Sequence, residues 1–520
     1  MVEVSASPTS STAITAQQPR DLAARTRAQH WRWAIPVLVA VVALGIRLSA
    51  EFRGGGLYGY FVYDDGVYYA AAASLLVGRL PYRDFVLLHP PGIMLALAPF
   101  AELARFTSDR DAMAVARVAW LLVGALNAAL AARVAGVLGR AAALVAGLFA
   151  ATWYHAAFGE RVPLLEPLGN LALLAALLLL VQRRLPERHA EALAGVALGL
   201  GACVKVWGVV PLAVVAVALM LTRGRRAAIR LALGAVGAGV VVCGPFLLAA
   251  PKAMIRMLVL AQGGRDSNGY TVFNKPPFLL GVAQYLRGQD RALVIAVTVV
   301  AVAILAAAAV LALRAPVARL WVALLVVHTL VLLASPVYFS HYSAFLTVPI
   351  ALVLGAAAGV WSQSLGARAP GAVQVAVVGA TVATLVALGI GTAVQRFGTR
   401  YPGSRLAAFV PAQGCLRADD PGALIQLNVL TRDLRRGCEQ PVDFTGITYY
   451  RPAKRADGSI ISRGKNQQWQ RRARAYLMTG SGTVLVRRTG NGFNKTTRKQ
   501  LNALPVLGQV GRWKVLGPPR

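Results

Sequence analysis

Residues 61–92, FVYDDGVYYAAAASLLVGRLPYRDFVLLHPPG, decide how this chain is read. Two adjacent carboxylates, Asp64 and Asp65, follow the first membrane-length apolar segment and sit among Tyr58, Tyr60, Tyr63, Tyr68 and Tyr69. Arg83, Asp84 and His89 come next, and Pro90-Pro91 opens another apolar helix. A loop that only joined two membrane helices would need none of these groups. Acid, base and aromatic side chains gathered at one membrane face suit chemistry on a polar substrate that arrives from the lipid.

The rest of the composition places that loop in a membrane protein. Apolar residues make up 57% of the 520 residues and charged ones 14%, and mean hydropathy is +0.57, too high for a soluble protein of this length. The apolar tracts, rich in Leu, Val and Ala, run for about 20 residues, enough for an α-helix to cross roughly 30 Å of hydrocarbon. They lack the alternation of a membrane barrel, so the expected fold is an α-helical polytopic membrane protein. The net charge of +33 would suit nucleic acid, but Arg and Lys lie in short clusters between apolar segments and in one C-terminal tract, with no recognition motif. No nucleic-acid partner is expected.

Residues Met1–Gln29 are rich in Ser, Thr, Ala and Gln and read as disordered, within a tail expected to extend to residue 33. Arg20, Arg25, Arg27 and Arg32 put this tail in the cytoplasm. Ala34–Leu48 is an uncleaved anchor rather than a signal peptide, given Arg47 near its end and no small-residue cleavage site. The loop 51–116 then lies outside. Further crossings are expected near 117–137, 141–158 and 168–181, two short ones between Ala192 and Leu221 that turn at Lys205 and Trp207, and others near 231–250, 292–313, 321–334, 344–360 and 373–394. The total is about eleven. The cytoplasmic loops carry Arg133 and Arg140; Arg183, Arg184 and Arg188; Arg223 to Arg230; Arg314 and Arg319; and Arg368, as the positive-inside rule asks. The membrane domain is thus expected over 34–394, with the N-terminus inside and the C-terminus outside.

Residues 395–520 read as a small extracytoplasmic α/β domain, because helical stretches (Pro421–Arg436, Asn466–Met478) alternate with strand-like ones (Thr483–Val486, Trp513–Leu516). From Arg396 onward the tract holds 23 Lys and Arg against 6 Asp and Glu, a charge that suits anionic headgroups or an anionic acceptor. Cys415 and Cys438 fall on the oxidising side and are expected to form a disulfide; Cys203 and Cys243 lie in apolar segments and read as inert.

A second outer acid, Glu166 in LLEPLGN, begins a crossing that runs straight into Leu and Ala, where an unpaired carboxylate is costly to dehydrate. Glu160-Arg161 reads as an exposed pair. His89, Lys205, Arg256, Arg265, Lys275 and His341 supply bases on the same side, suitably placed for a phosphate leaving group. Lys205 stands at the tip of two short helices with no nearby acid expected to pair with it. There is no Walker A, GxGxxG, HExxH or paired CxxC sequence. A transporter remains the alternative, but it would be expected to carry its acids in midmembrane and to show repeated halves.

The first outer loop resembles the Asp-Glu-Gly…Pro-Tyr-Arg-Asp-Phe…His-Pro-Pro-Gly pattern of the GT-C superfamily of membrane glycosyltransferases, in the branch of protein O-mannosyltransferases and lipid A aminoarabinose transferases. LLEPLGNLALL is similar to that branch's second acidic motif, CVKVWG to its Lys-containing turn and HYSAFLTVPIAL to its His-Tyr…Pro segment; the likeness covers about residues 33–361. It implies transfer of a sugar from a polyprenyl-phosphate donor to an envelope glycan, lipid or protein outside the membrane, usually with inversion. Asp64, Asp65 and Glu166 are then the implied catalytic acids, with Asp64 acting on the acceptor. His89, Lys205, His341, Tyr342 and Arg256 would contact the donor and its phosphate, and Arg83 and Asp84 would lie in the acceptor loop. Relatives often have Lys at the position of His89 and Glu at that of Asp65. No cofactor is required by the pattern beyond a possible divalent cation, and a polyprenyl-lipid flippase is the competing function.

Overall fold

The computed structural model describes residues 18–182, 184–263, 265, 268–365, 368–486 and 492–519, with side chains from residue 30. Most of Met1–Gln29, Arg183 and the outer-loop residue Asp266 lie outside the described residues or side chains. The expected tail to residue 33 is too long: helix α1 already runs from Gln18 to Gly54.

Helices occupy each of the eleven expected crossings. After α1 come α2 (Tyr63–Leu76), α3 (Gly92–Leu103), α4 (Asp109–Ala135), α5 (Arg140–Thr152), α6 (Tyr154–Glu160), α7 (Glu166–Val181), α8 (Glu187–Val204), α9 (Val209–Arg223) and α10 (Arg225–Ala249). Then follow α11 (Arg291–Ala312), α12 (Ala318–Ala334), α13 (Thr347–Val360) and α14 (Gly371–Ala393). Among the described residues seven helical segments are long and apolar enough to cross a membrane, or eight if α5 and α6, bent by 59°, form one span. The chain is a multi-pass membrane protein; α3, α7 and α12 are shorter apolar helices, and α2 and α3 lie within the loop 51–116.

Small residues let the helices approach closely. In GVALG of α8, Gly195 and Gly199 face the carbonyls of Leu231 and Ala235 on α10, and a methyl group at either would collide with that backbone. Cys203 of α8 meets Cys243 of α10, Sγ to Sγ 3.6 Å.

Glu160 and Arg161 are not an exposed pair. Both are buried. Glu160 accepts from Nε of Arg47 at 2.9 Å and from Asn127 at 3.0 Å, while Arg47 also donates to the carbonyls of Ala43, Ala150 and Ala151. Arg161 is enclosed by the rings of Phe61, Phe158 and Phe397. Charges so far from water persist only when paired or packed against π-faces, so Arg47 acts as a brace between α1, α5 and α6.

Beyond α14 a four-stranded sheet forms from β1 (Leu416–Ala418), β2 (Gly482–Val484), β3 (Val506–Val510) and β4 (Trp513–Leu516), in the order β1-β2-β4-β3. Strands β1 and β2 are parallel and the other pairs antiparallel. Helices α15 (Pro421–Gln426), α16 (Leu430–Arg435), α17 (Gln467–Met478) and α18 (Lys495–Asn502) accompany them. Asp433 accepts from the Leu416 amide and Asp419 from the Val486 amide, so these acids pin strands from inside. A disulfide joins Cys415 and Cys438, with Cα atoms 5.8 Å apart. Changing both to Ser is expected to lower unfolding free energy by about 2–4 kcal/mol, read from denaturant melts; coincident melts would show that the bridge is dispensable.

This sheet unit packs directly on the loop 51–116. Gly66 of α2 meets the backbone of Gly422, leaving no room for a side chain. Tyr60 pairs through its backbone with Thr399 and through its hydroxyl with Asp420 at 2.5 Å, and Asp109 at the start of α4 receives the amide of Thr431 at 3.0 Å.

Candidate active site

Asp64 and Asp65 lie in the first turn of α2, where free backbone amides favour carboxylates. Successive residues on a helix point about 100° apart, so the two acids part ways. Asp65 turns inward: Oδ2 accepts from Arg117 at 2.9 Å, Oδ1 from the Gly66 amide at 2.8 Å, and only 2% of the residue is exposed. Burial pushes its carboxyl up, and Arg117 opposes the shift. Arg117 also donates to the carbonyls of Leu57 and Gly59. This pair therefore fixes the segment that leads into α2, and the structure gives Asp65 an anchoring position rather than the substrate-facing one expected of it.

Asp64 turns the other way. Its side chain is 38% exposed, and Nε2 of His341 lies 3.8 Å from its Oδ2. His341 and Tyr342 belong to a tight 3₁₀ turn, Ser340–Leu346, that precedes α13. The Tyr342 ring packs edge-on against Trp207, centroids 4.8 Å apart. Lys205 Nζ lies 4.2 Å from both ring centroids. Contrary to expectation Lys205 has an acid partner: Glu166 Oε1 accepts from it at 2.5 Å, with side chains 10% and 1% exposed. Pro167 at the first turn of α7 and the break between α8 and α9 bring these two charges together.

Arg265 supplies a cation without such a partner. It donates to the Tyr342 hydroxyl at 3.2 Å and lies 5.1 Å from the Tyr449 ring centroid, and no carboxylate among the described residues pairs with it. Gln262, three residues earlier, donates to the Leu88 carbonyl at 2.7 Å, tying this segment to His89. The His89 ring meets Tyr68 edge-on, centroids 5.7 Å apart, and its carbonyl accepts from Tyr82 at 2.8 Å. Burial holds His89 well below the usual imidazole range, and Arg265, Lys205 and His341 add to the effect.

Other expected residues lie elsewhere. Arg83 and Asp84 form a two-bond pair at 2.9 Å on an exposed turn, where Arg83 lowers the Asp84 carboxyl; their contacts are local. Arg256 is exposed and touches only the Tyr450 ring, at 6.0 Å. Lys275 is buried and donates to the carbonyls of Leu333 and Ser335 at 2.8 and 2.6 Å, capping the end of α12. Among the described residues no group of three or more His, Cys, Asp or Glu is arranged to hold a metal ion.

One site residue escaped sequence reading. Asp443, in the sheet unit, accepts from the Tyr63 hydroxyl at 3.0 Å and the Gly446 amide at 2.7 Å. Burial pushes its carboxyl up, and the nearby charge of Asp64 adds to that. The available signal was a lone acid in VDFTG within a strongly basic tract.

The fold has known counterparts. The structure of ArnT from Cupriavidus metallidurans bound to undecaprenyl phosphate superposes with TM-score 0.57 at 16% identity, over 92% of this chain and 97% of that one. Its apo state gives 0.58 at 15%, over 94% and 98%. No curated protein matches the sequence. Residues 87–336 match the profile of glycosyltransferase family 87. That match covers 250 of the 520 residues, just under half of the chain, and the likeness to ArnT is one of fold. The profile begins at Leu87, just before His89, and includes Glu166, Lys205 and Arg265 but neither Asp64 nor His341.

Proposed function

We propose that this protein is a GT-C glycosyltransferase that transfers a sugar from a polyprenyl-phosphate donor to a hydroxyl of an envelope acceptor at the outer membrane face, with Asp64 as general base. The observation that carries the reading is the contrast among the acids: Asp64 is open, while Asp65 and Glu166 are buried in ion pairs. One open carboxylate suits a single displacement and hence inversion. The acceptor oxygen attacks the anomeric carbon, its proton passes to Asp64, and the bond to the phosphate oxygen breaks. The polyprenyl phosphate leaves with the bonding electrons.

Arg265, supported by Tyr342, is the natural partner for that leaving phosphate, because its planar fork is not neutralised by a carboxylate. Lys205 is already paired, so its main effect is on the shape of the site, and no step of this reaction invokes a metal. The ArnT structure named for its bound undecaprenyl phosphate supports a lipid phosphate in this fold. Thin-layer analysis of radiolabelled polyprenyl-phosphate sugars incubated with the purified protein tests the donor. Arg265→Gln is expected to raise the donor KM, and absence of sugar release from every polyprenyl-phosphate donor would refute the assignment.

The same reading puts the sheet unit outside the cell membrane and the N-terminus inside. A periplasm-active phosphatase fused after Arg400 is expected to be active, and one fused after Arg226 inactive. The reverse pattern would overturn the orientation.

A further inference from the structure

Away from the Asp64 cluster, a cleft of about 590 Å³ opens between the first outer loop and the sheet unit. One wall is Tyr58 and Arg110; the other is Arg400, Arg405, Arg512 and Trp513. The guanidinium of Arg110 lies 4.3 Å from the Tyr58 ring centroid, and that of Arg512 lies 4.8 Å from the Trp513 ring centroid. Stacking of this kind holds a guanidinium by its face and leaves its N–H edge free.

The charge in this cleft is offset only in part by the protein. Among the described residues none of the four arginines forms an ion pair; Asp111 is close by, bound to the Tyr58 hydroxyl at 3.0 Å. The acids of the sheet unit are mostly turned away. Asp419, Asp420 and Asp433 are fully buried and Asp443 faces Tyr63, which leaves Glu439 and Asp457 exposed, neither of them lining the cleft. Four cations held near one another with one carboxylate beside them still repel, and an anion between them relieves that repulsion.

We propose that this cleft binds an acidic saccharide, a short chain of pyranose rings bearing carboxylate groups. The arginine edges match carboxylates in two-bond geometry. The exposed Tyr58 and the partly exposed Trp513 offer flat apolar faces to sugar rings. A lipid headgroup would use the charges but not the rings. The site needs neither the donor nor the transfer step, so it stands apart from the function proposed above. Tyr60, whose ring meets Trp513 at 6.4 Å, joins the cleft to the segment that delivers Asp64.

Fluorescently labelled trigalacturonic acid titrated onto the full-length protein in detergent, without donor, tests the proposal. It is expected to bind, with maltotriose failing to compete, and the Arg400→Gln/Arg405→Gln variant is expected to weaken binding by about tenfold or more. All three substituted positions, Arg400, Arg405 and, in a separate Tyr58→Ala variant, Tyr58, are exposed, so a thermal melt equal to that of the parent is expected to accompany the loss. Binding unchanged in both variants would overturn the site. So would equal binding of maltotriose and the acid, and so would displacement of the label by phosphatidylglycerol nanodiscs with binding unchanged in Tyr58→Ala, which would identify a headgroup site instead.

Discussion

Asp64→Asn is expected to reduce sugar transfer by about 10²- to 10⁴-fold while leaving the protein folded. A sugar hydroxyl is a poor nucleophile at neutral pH, and a positioned carboxylate accepts its proton as the new bond forms. Asn keeps the size of the side chain but not its basicity. Stability should hardly change, because Asp64 is 38% exposed and its recorded ionic neighbour is His341 at 3.8 Å, a contact that costs little to lose at a solvated site. The control is Asp65→Asn, which removes the acceptor for Arg117 in a buried pair and should weaken folding more than chemistry. Initial rates at saturating donor, normalised to folded protein, separate the two. If Asp64→Asn keeps more than about a tenth of the parental rate, a loss well short of that expected for a general base, Asp64 does not take the proton.

The membrane architecture was legible because hydropathy and the positions of arginine are strong local signals. Each apolar run became a helix, and α3 begins at Gly92, directly after the proline pair that announced it. The sheet unit was legible where strands alternate, as at Thr483 and Trp513, whereas β1 and β3 are short or irregular and gave no sequence signal. Partners were not legible. The side-by-side acids look equivalent in sequence, and only the helical turn of α2 sends one toward Arg117 and the other toward His341. The Lys205–Glu166 pair joins residues 39 positions apart, and Arg47–Glu160 joins residues 113 apart; no local pattern encodes such distances. Asp443 was missed for the same reason, since its role depends on the sheet unit docking over Tyr63.

Lys205 gives the second large effect, and the expected loss is of stability. Its ammonium and the Glu166 carboxylate are both buried, and each has the other as its ionic partner. Removing one partner of such a pair leaves an uncompensated buried charge and typically costs about 3–5 kcal/mol, whereas replacing both by apolar groups of similar size is far less damaging. Lys205→Met is therefore expected to melt well below the parent, and Lys205→Met/Glu166→Leu to recover most of the difference. The rings of Trp207 and Tyr342, each 4.2 Å from Nζ, would still pack against the methionine, so the double variant keeps the shape around Tyr342 and Arg265. Donor KM in that variant then isolates the charge of Lys205 from its bracing effect: a value near the parent's assigns phosphate recognition to Arg265. A single Lys205→Met variant that melts like the parent but no longer uses the donor would reverse the assignment, making Lys205 the phosphate ligand and the ion pair incidental.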